Sequence, residues 1–332
     1  MNNQLLASFN ALSNGERQIL MALSVIYVPI GQTSFQELLK KSAVFAPNTV
    51  AIINKTLREK LQKTELMVIS PDGWQCHPDV VEFVTRLAVQ QPWFTKLATC
   101  LIADHKSYYY PARLIIAHAI KKLRIFLYLG NDNDFIANIR QNRSLYPREL
   151  PDIINRIFFN NFDAEWFASL SEPIKFVVLS YFVNGSLWYL SEDTLHYQLL
   201  EQFFGATKSG NPEIAQTVIE QRLLRGNFND AETWLAGDES VRGLMIGATL
   251  RFLQNRNDEA LEKFNAALKA YKKATGKRSI SFNGLHGYFF SLALLRNRSF
   301  SNLSLLRNVH EITSATSFKE TFTVKDFRFY VD

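Results

Sequence analysis

A turn that recurs without gaps is the feature that most constrains the fold of this 332-residue chain. Residues 127–139, Leu-Tyr-Leu-Gly-Asn-Asp-Asn-Asp-Phe-Ile-Ala-Asn-Ile, align with residues 223–235, Leu-Leu-Arg-Gly-Asn-Phe-Asn-Asp-Ala-Glu-Thr-Trp-Leu. Both copies contain Gly-Asn-x-Asn-Asp between two apolar runs. Gly and Asn tolerate the left-handed backbone conformation that ends a helix, and Asn or Asp caps the helix that follows. The pattern therefore predicts helix hairpins.

The spacing of these turns predicts a repeat architecture. Residues 252–264 align in the same register, and residues 294–306 are a fainter copy. The first two turns lie 96 residues apart, close to three repeats of about 32, and such periods are typical of tetratricopeptide (TPR) helix hairpins. The best single unit is Leu244–Ala270, in which Ala260 and Phe264 match the A-x3-F pattern while Arg251 replaces the consensus aromatic residue. We predict TPR-like repeats over residues 92–310.

The N-terminal residues 1–91 predict a winged-helix-like domain. A helix over Ser13–Ile26, a short helix from Thr33 or Ser34 and a third helix over Val50–Leu61 precede a hairpin at residues 67–76. Three helices followed by a hairpin is the winged-helix order, with the third helix in the recognition position. The predicted fold class is therefore mainly α: an N-terminal winged helix with a small β-hairpin wing, followed by TPR-like antiparallel helix-hairpin repeats. We interpret residues 311–332 as a C-terminal segment, the truncated start of a further domain.

Composition and motifs favour binding over catalysis. Hydrophobic residues make up 47% of the chain, which is typical of folded globular proteins. The six histidines are scattered singly, and there is no phosphate-binding Gly-rich loop, metalloprotease motif or nucleophile elbow. We therefore expect no catalytic residue, no cofactor and no metal. Two cysteines, the lack of a secretory signal and the lack of a membrane span predict a reduced, cytoplasmic protein that does not bind membranes.

Positive charge is concentrated in the C-terminal part of the chain. The net charge is +6, and from Arg251 onward fourteen Lys and Arg stand against seven Asp and Glu. A basic region on a near-neutral body suits an acidic partner, DNA or RNA included. The alternative is a solvated helical face without a partner.

Two groups of residues are candidates for nucleic-acid contact. On the outer side of the third helix these are Asn54, Lys55 and Arg58, because Asn and Arg can pair with base edges and Lys suits phosphates. The first ninety residues, however, hold eight Lys and Arg against seven Asp and Glu, less basic than most DNA-binding modules. Packing or protein contact is the alternative role for this helix.

The second group lies at the end of a later predicted helix. It consists of Lys269, Lys272, Lys273, Lys277 and Arg278, a phosphate-binding ridge that arginines of neighbouring helices would extend, namely Arg251, Arg256, Arg296 and Arg298. The alternative is that these lysines only complement the dipole at the C-terminal end of their helix.

One stretch of sequence, considered with the order of the predicted elements, resembles a known family. Residues 274–295, Ala-Thr-Gly-Lys-Arg-Ser-Ile-Ser-Phe-Asn-Gly-Leu-His-Gly-Tyr-Phe-Phe-Ser-Leu-Ala-Leu-Leu, resemble part of the N-terminal region of large bacterial SNF2-type helicases. This resemblance implies an accessory region that contacts nucleic acid or a motor domain further along the chain. A second resemblance, to the winged-helix plus TPR part of STAND-type transcription regulators, rests on architecture. It implies a protein–protein interaction scaffold or a regulator fragment.

Overall fold

The structure is a computed structural model that describes residues 3–103, 112–146, 148–160, 162–189, 194–205, 211–276, 282, 284–297, 299 and 301–307. The chain forms two compact units, Met1–Val178 and Leu179–Asp332. The predicted domain limits at residues 91 and 310 stay predictions, and the predicted segment 311–332 lies outside the described residues.

The described part of the chain is mainly helical, as predicted, with one small antiparallel hairpin. In the first unit the elements are α1 (Asn3–Asn10), α2 (Asn14–Ile26), α3 (Gln32–Ser42), α4 (Pro47–Ala51), α5 (Lys55–Lys63), β1 (Met67–Ser70), β2 (Gly73–Cys76), α6 (Pro78–Val89), α7 (Phe94–Ala103), α8 (Ala112–Tyr128), α9 (Asp132–Leu145), α10 (Leu150–Phe158) and α11 (Ala164–Ser169). Helix α12 (Glu172–Tyr189) spans the division, and the second unit holds α13 (Thr194–Phe204), α14 (Pro212–Leu224), α15 (Phe228–Trp234), α16 (Val241–Leu253), α17 (Asn257–Thr275) and α18 (Leu285–Arg296).

The winged-helix arrangement is confirmed at its start and in its sheet. The predicted helix begins, as α2, with a capping box of Ser13 and Glu16, and its apolar residues are buried. Strand β2 pairs with β1 on one side and, through an isolated bridge between Trp74 and Ile30, with the segment after α2 on the other. The strand order is therefore Ile30, β2, β1, which leaves β1 at the edge.

The predicted third helix is wrong in one respect, because it is two helices. Helix α4 ends at Ala51, and α5 begins at Lys55 with Asn54 as its N-cap. The Asn54 side chain accepts a hydrogen bond from the backbone N–H of Leu57 at 3.0 Å. Asn competes for local backbone groups in this way and so favours helix starts over helix interiors.

A buried ion pair joins α8 to the helices of the winged helix. Arg124 is 1% exposed, and its Nε donates to Glu82 Oε1 of α6 at 2.7 Å. Its other nitrogens donate to the Ser24 carbonyl at 2.9 Å and to Thr85 Oγ1 at 2.6 Å. Tyr128 donates to the second oxygen of Glu82 at 2.8 Å. Because every charged group here has partners, the ion pair and its hydrogen bonds offset the desolvation cost of burying the charges.

The second unit contains the predicted hairpins, and α16 is the helix that its neighbours enclose. Its apolar residues are distributed all round the helix, and such a helix is buried on every side. It packs on α14, α15, α17 and α18. On α17 the predicted Ala260 and Phe264 are buried, as is Ala267, so the unit from Leu244 to Ala270 is a helix hairpin as predicted.

The recurrent turns have the predicted backbone conformation. Gly130 and Gly226 have φ angles of 68° and 90°, and Asn255 takes the left-handed conformation in the third turn with a φ of 62°. The predicted side-chain cap forms only in the first turn, where Asn131 accepts from the N–H of Asp134. Asn227 occupies the same position before α15 but makes no side-chain cap hydrogen bond, so that part of the prediction is wrong.

Candidate binding surfaces

Helices α14, α16 and α18 are joined by a cluster of polar side chains that centres on Glu220. One oxygen of Glu220 lies 2.9 Å from Nε2 of His286, and the other lies 2.8 Å from Nη2 of Arg242. Arg242 also donates to Thr217 Oγ1 at 3.0 Å, and Nδ1 of His286 lies 3.1 Å from Thr249 Oγ1. The Glu220 side chain of α14 thus contacts both α16 and α18.

The electrostatics of Glu220 reflect these partners. Its side chain is 12% exposed. Burial raises the pKa of Glu220, but the hydrogen bonds and charges of His286 and Arg242 lower it more strongly, to about 2. Glu220 is therefore ionised at neutral pH and holds the Arg242 guanidinium and the His286 imidazole in place.

A further polar contact extends this row of inner helices. Gln221 of α14 is fully buried, and its Nε2 donates to Asn184 Oδ1 of α12 at 3.1 Å. Buried amides need such partners because an unpaired one costs its full desolvation penalty. Polar contacts therefore join α12, α14, α16 and α18 to one another.

The predicted basic ridge is present only in part. Lys269, Lys272 and Lys273 are exposed in the last turns of α17, and none of them has an ion-pair partner among the described residues. Gly276, at a φ of 70°, ends this helix. Lys277, Arg278 and Arg298 lie outside the described residues.

Three of the neighbouring arginines, Arg251, Arg256 and Arg296, are engaged within the unit. Arg251 lies 2.6 Å from Glu232, and Arg256 pairs with Glu259. Arg296 donates to Asn255 and lies over the ring of Phe252. The guanidinium groups of Arg251 and Arg296 thus contribute to packing between helices, which uses the planar, multiply bonding geometry of arginine, whereas Arg256 pairs locally at the start of α17.

The predicted recognition helix has less free polar surface than its sequence indicates. The side-chain oxygen of Asn54 is occupied by the cap of α5. Lys55 is 78% exposed and lies 3.7 Å from Glu59, whereas Arg58 is half-buried and its Nε has no partner among the described residues. Lys55 therefore remains the most accessible of the three candidates. Whether any of them contacts a nucleic acid stays a prediction.

A small apolar cleft opens between α13, α14 and α15. It is lined by Phe204, Ala215, Val218, Ile219, Arg222 and Trp234, and its cavity volume is about 0 Å³, without room for a water molecule. Ligand pockets usually measure about 300–1,000 Å³, so this cleft is too small for a typical organic ligand.

The described residues contain neither a metal-binding group of side chains nor a membrane-spanning helix. Within the described ranges, no three His, Cys, Asp or Glu side chains are grouped as a metal ion would require. In the same part of the chain, no helix has the length and apolar character needed to cross a bilayer.

Comparisons with known proteins returned one structural similarity. No family model matches the chain, and no curated protein sequence matches it. A solved structure from Pyrococcus horikoshii, a STAND (Signal Transduction ATPase with Numerous Domains) protein with a tetratricopeptide repeat sensor, aligns with a TM-score of 0.46 and 15% sequence identity. The alignment covers 100% of this chain and 49% of that one, so this chain spans about half the length of the similar structure. The resemblance to SNF2-type helicases has no support from these comparisons and stays a prediction.

The Glu220 cluster is not among the sites that the sequence predicts. Glu220, Arg242 and His286 belong to three different helices, and no motif links them. The sequence does contain one indication of the cluster. Each of these three residues lies in a helix whose apolar residues are distributed all round the helix axis. A charged residue in such a helix needs a buried partner.

Proposed function

We propose that this chain is a non-catalytic helical-repeat scaffold that binds a protein partner through its second unit. The observation that carries the proposal is the enclosure of α16 by its neighbours together with the Glu220 contacts to Arg242 and His286. Helix hairpins that stack in this way bury a continuous core and leave extended surfaces whose usual role is to bind other macromolecules. A reducing, cytoplasmic location is part of the proposal, supported by the free thiols of Cys76 and Cys100.

The pairing of arginines with carboxylates inside the second unit favours a protein partner over a nucleic acid. The arginines on its packed helices, among them Arg222, Arg242 and Arg251, are engaged with carboxylates of the same unit. Nucleic-acid affinity comes chiefly from cations that neutralise phosphates, and a guanidinium already paired with a carboxylate does so poorly.

The alternative function is contact with DNA or RNA, as an accessory region of a motor protein. The specific observation in its favour is the exposure of Lys269, Lys272 and Lys273 at one end of α17. These lysines also lie where the helix dipole favours positive charge, so their position has a structural cause as well.

The test begins with capture of proteins from a nuclease-treated lysate on the immobilised full chain, followed by purification of the captured protein. Binding is then measured by calorimetry and mapped by hydrogen–deuterium exchange. We expect a saturable complex of fixed stoichiometry and slower exchange within residues 211–276. Glu220→Gln should weaken binding because it loosens the stack, and Lys55→Ala in the first unit is the matched control that should not.

The nucleic-acid alternative is tested in parallel. Fluorescence anisotropy with labelled duplex DNA and single-stranded RNA at low salt compares the wild-type chain with Lys269→Glu/Lys272→Glu/Lys273→Glu. Micromolar affinity that the charge reversals abolish would favour the alternative. The scaffold proposal would be overturned by protein capture that nuclease abolishes, or by exchange protection confined to residues 3–103.

A further inference from the structure

The hairpin of the winged helix has an open backbone edge. Both main-chain groups of Trp74 bond to Ile30, with N–H donation at 2.8 Å and carbonyl acceptance at 3.0 Å. Trp74 is the register partner of Ile69 in β1. The backbone N–H and C=O of Trp74 therefore point away from β1, so Trp74 and Ile69 form a non-hydrogen-bonded pair. In such a pair the N–H and C=O of Ile69 point away from β2, toward the outer edge of β1.

The outer side at Ile69 is unoccupied by the described chain. Neither its N–H nor its C=O has a hydrogen-bond partner within the described residues, and its side chain is 40% exposed. An unpaired strand edge of this kind pairs readily with another extended backbone, and natural proteins usually protect such edges with charge, Pro or a covering element. Here the central strand residue carries an exposed apolar side chain instead.

The charges at the two ends of the strand define the chemistry of a partner. From Glu65 to Cys76 the chain holds two acidic residues, Glu65 and Asp72, and no Lys or Arg. Glu65 is exposed before β1, and Asp72, which already has a partner within the chain, is partly exposed in the turn after it. A strand that pairs with β1 therefore meets a negative charge at each end and an apolar side chain in the middle.

We infer that the outer edge of β1 is a docking site for an extended segment of a partner protein, with an uncharged centre and Lys or Arg at its ends. The segment adds to the sheet as an antiparallel strand and exchanges two hydrogen bonds with Ile69. A second copy of β1 is a poorer occupant, because antiparallel pairing about Ile69 would bring Asp72 of one chain close to Glu65 of the other. The inference rests on residues of the first unit and is independent of the proposed interaction of the repeats.

The probes are two synthetic, end-blocked octapeptides, Lys-Thr-Val-Thr-Val-Thr-Val-Lys and its counterpart with Glu at both ends. Hydrogen–deuterium exchange of the full chain is followed in fragments that cover residues 65–72. We expect the Lys-flanked peptide to protect about one or two amides there, Ile69 first, since alternate residues of an edge strand donate outward. The Glu-flanked peptide should give no protection at the same concentration.

Two sets of variants decide the mechanism. Ile69→Pro removes the outward N–H donor and should abolish protection, whereas Ile69→Thr keeps the donor and a strand-forming side chain and should retain it. Glu65→Lys/Asp72→Lys should reverse the preference between the two peptides. If Ile69→Pro lowers the melting temperature, this reversal tests the docking site in its place. Absence of protection at millimolar peptide, or equal protection by both peptides, would overturn the inference. Because these changes leave residues 211–276 intact, a failure here leaves the scaffold test unaffected.

Discussion

Oε1 of Glu220 lies 2.9 Å from Nε2 of His286, so that a carboxylate of α14 contacts an imidazole of α18, a helix of a later hairpin. The same carboxylate contacts Arg242 of α16 at 2.8 Å. Three inner helices of the second unit therefore share one buried anion. The stability of this unit should depend on the charge of that anion.

The first prediction concerns pH and Glu220. The pKa of Glu220 is lowered from 4.5 to about 2, which corresponds to about 3 kcal/mol of stability. Because the folded-state pKa lies below the unfolded one, this stability is present above pH 4.5 and is lost as the pH falls toward 2. Urea unfolding should show that Glu220→Gln is less stable than wild type at pH 7 by about that amount, and by less than about half of it at pH 3.

The matched control for Glu220 is Glu239→Gln. Glu239 is exposed and has no ion-pair partner among the described residues. Its substitution should change the free energy of unfolding by less than about 0.5 kcal/mol at either pH. A Glu220→Gln effect that is the same at pH 7 and pH 3 would contradict the prediction.

The second prediction concerns the buried pair of Arg124 and Glu82. Arg124→Met leaves Glu82 as an uncompensated buried charge, so it should lower the free energy of unfolding by about 3–5 kcal/mol. Arg124→Met/Glu82→Leu removes both charges and should be more stable than Arg124→Met alone. Urea unfolding of the two single variants and the double variant measures the coupling.

An exposed ion pair of the same kind is the control for Arg124. Arg156 and Asp152 of α10 lie 2.8 Å apart, with side chains 52% and 56% exposed. Solvent screens such a pair, so Asp152→Asn should cost less than about 1 kcal/mol. If the double variant at Arg124 and Glu82 proved less stable than either single variant, the explanation by an uncompensated charge would be wrong.

The third prediction separates two kinds of glycine. Gly226 has a φ of 90°, so Gly226→Ala should cost about 1–2 kcal/mol, although no atom lies within 4 Å of the added Cβ. Gly247 lies within α16, and an added Cβ would meet only the Lys263 side chain at 3.6 Å. Gly247→Ala should therefore be neutral or stabilise by up to about 1 kcal/mol. Thermal unfolding of both variants tests this, and equal effects at the two sites would refute it.

The fourth prediction concerns the role of Asn54. Asn54 is the N-cap of α5, so Asn54→Ala should destabilise the first unit by about 1 kcal/mol. Asn54→Ser keeps a side-chain acceptor and should retain most of the stability. Gln62→Ala, at an exposed position of the same helix, is the control and should have little effect. A loss of DNA affinity in Asn54→Ser with unchanged stability would instead favour the predicted role in base recognition.

Local features of this protein could be predicted from its sequence because they depend on residues close together in the chain. The capping box of Ser13 and Glu16 and the left-handed turns at Gly130 and Gly226 are of this kind. Helix α17 was predicted from the spacing of Ala260 and Phe264, since residues four apart lie on one face of a helix.

Local rules were misleading where two of them competed. The apolar spacing from Val50 to Leu61 fits one helix, yet α4 ends at Ala51 and Asn54 caps a second helix, α5. Lys269, Lys272 and Lys273 are exposed as expected, but Arg251 is bonded to Glu232 of another helix and Arg256 to Glu259 at the start of α17 itself. The sequence shows which residues are charged, but it does not show which oppositely charged residue lies beside each of them in the folded protein.

The sequence alone therefore determined the helix hairpins, the winged-helix order and the regions rich in positive charge. Only the tertiary structure decided that Glu220 would meet Arg242 and His286, that Arg124 would be buried against Glu82, and that no described segment would pair with the outer edge of β1. The physical reason is one of range. Capping, turn conformation and helical periodicity act over a few residues, whereas the pairing of buried charges and strand edges depends on how distant segments pack.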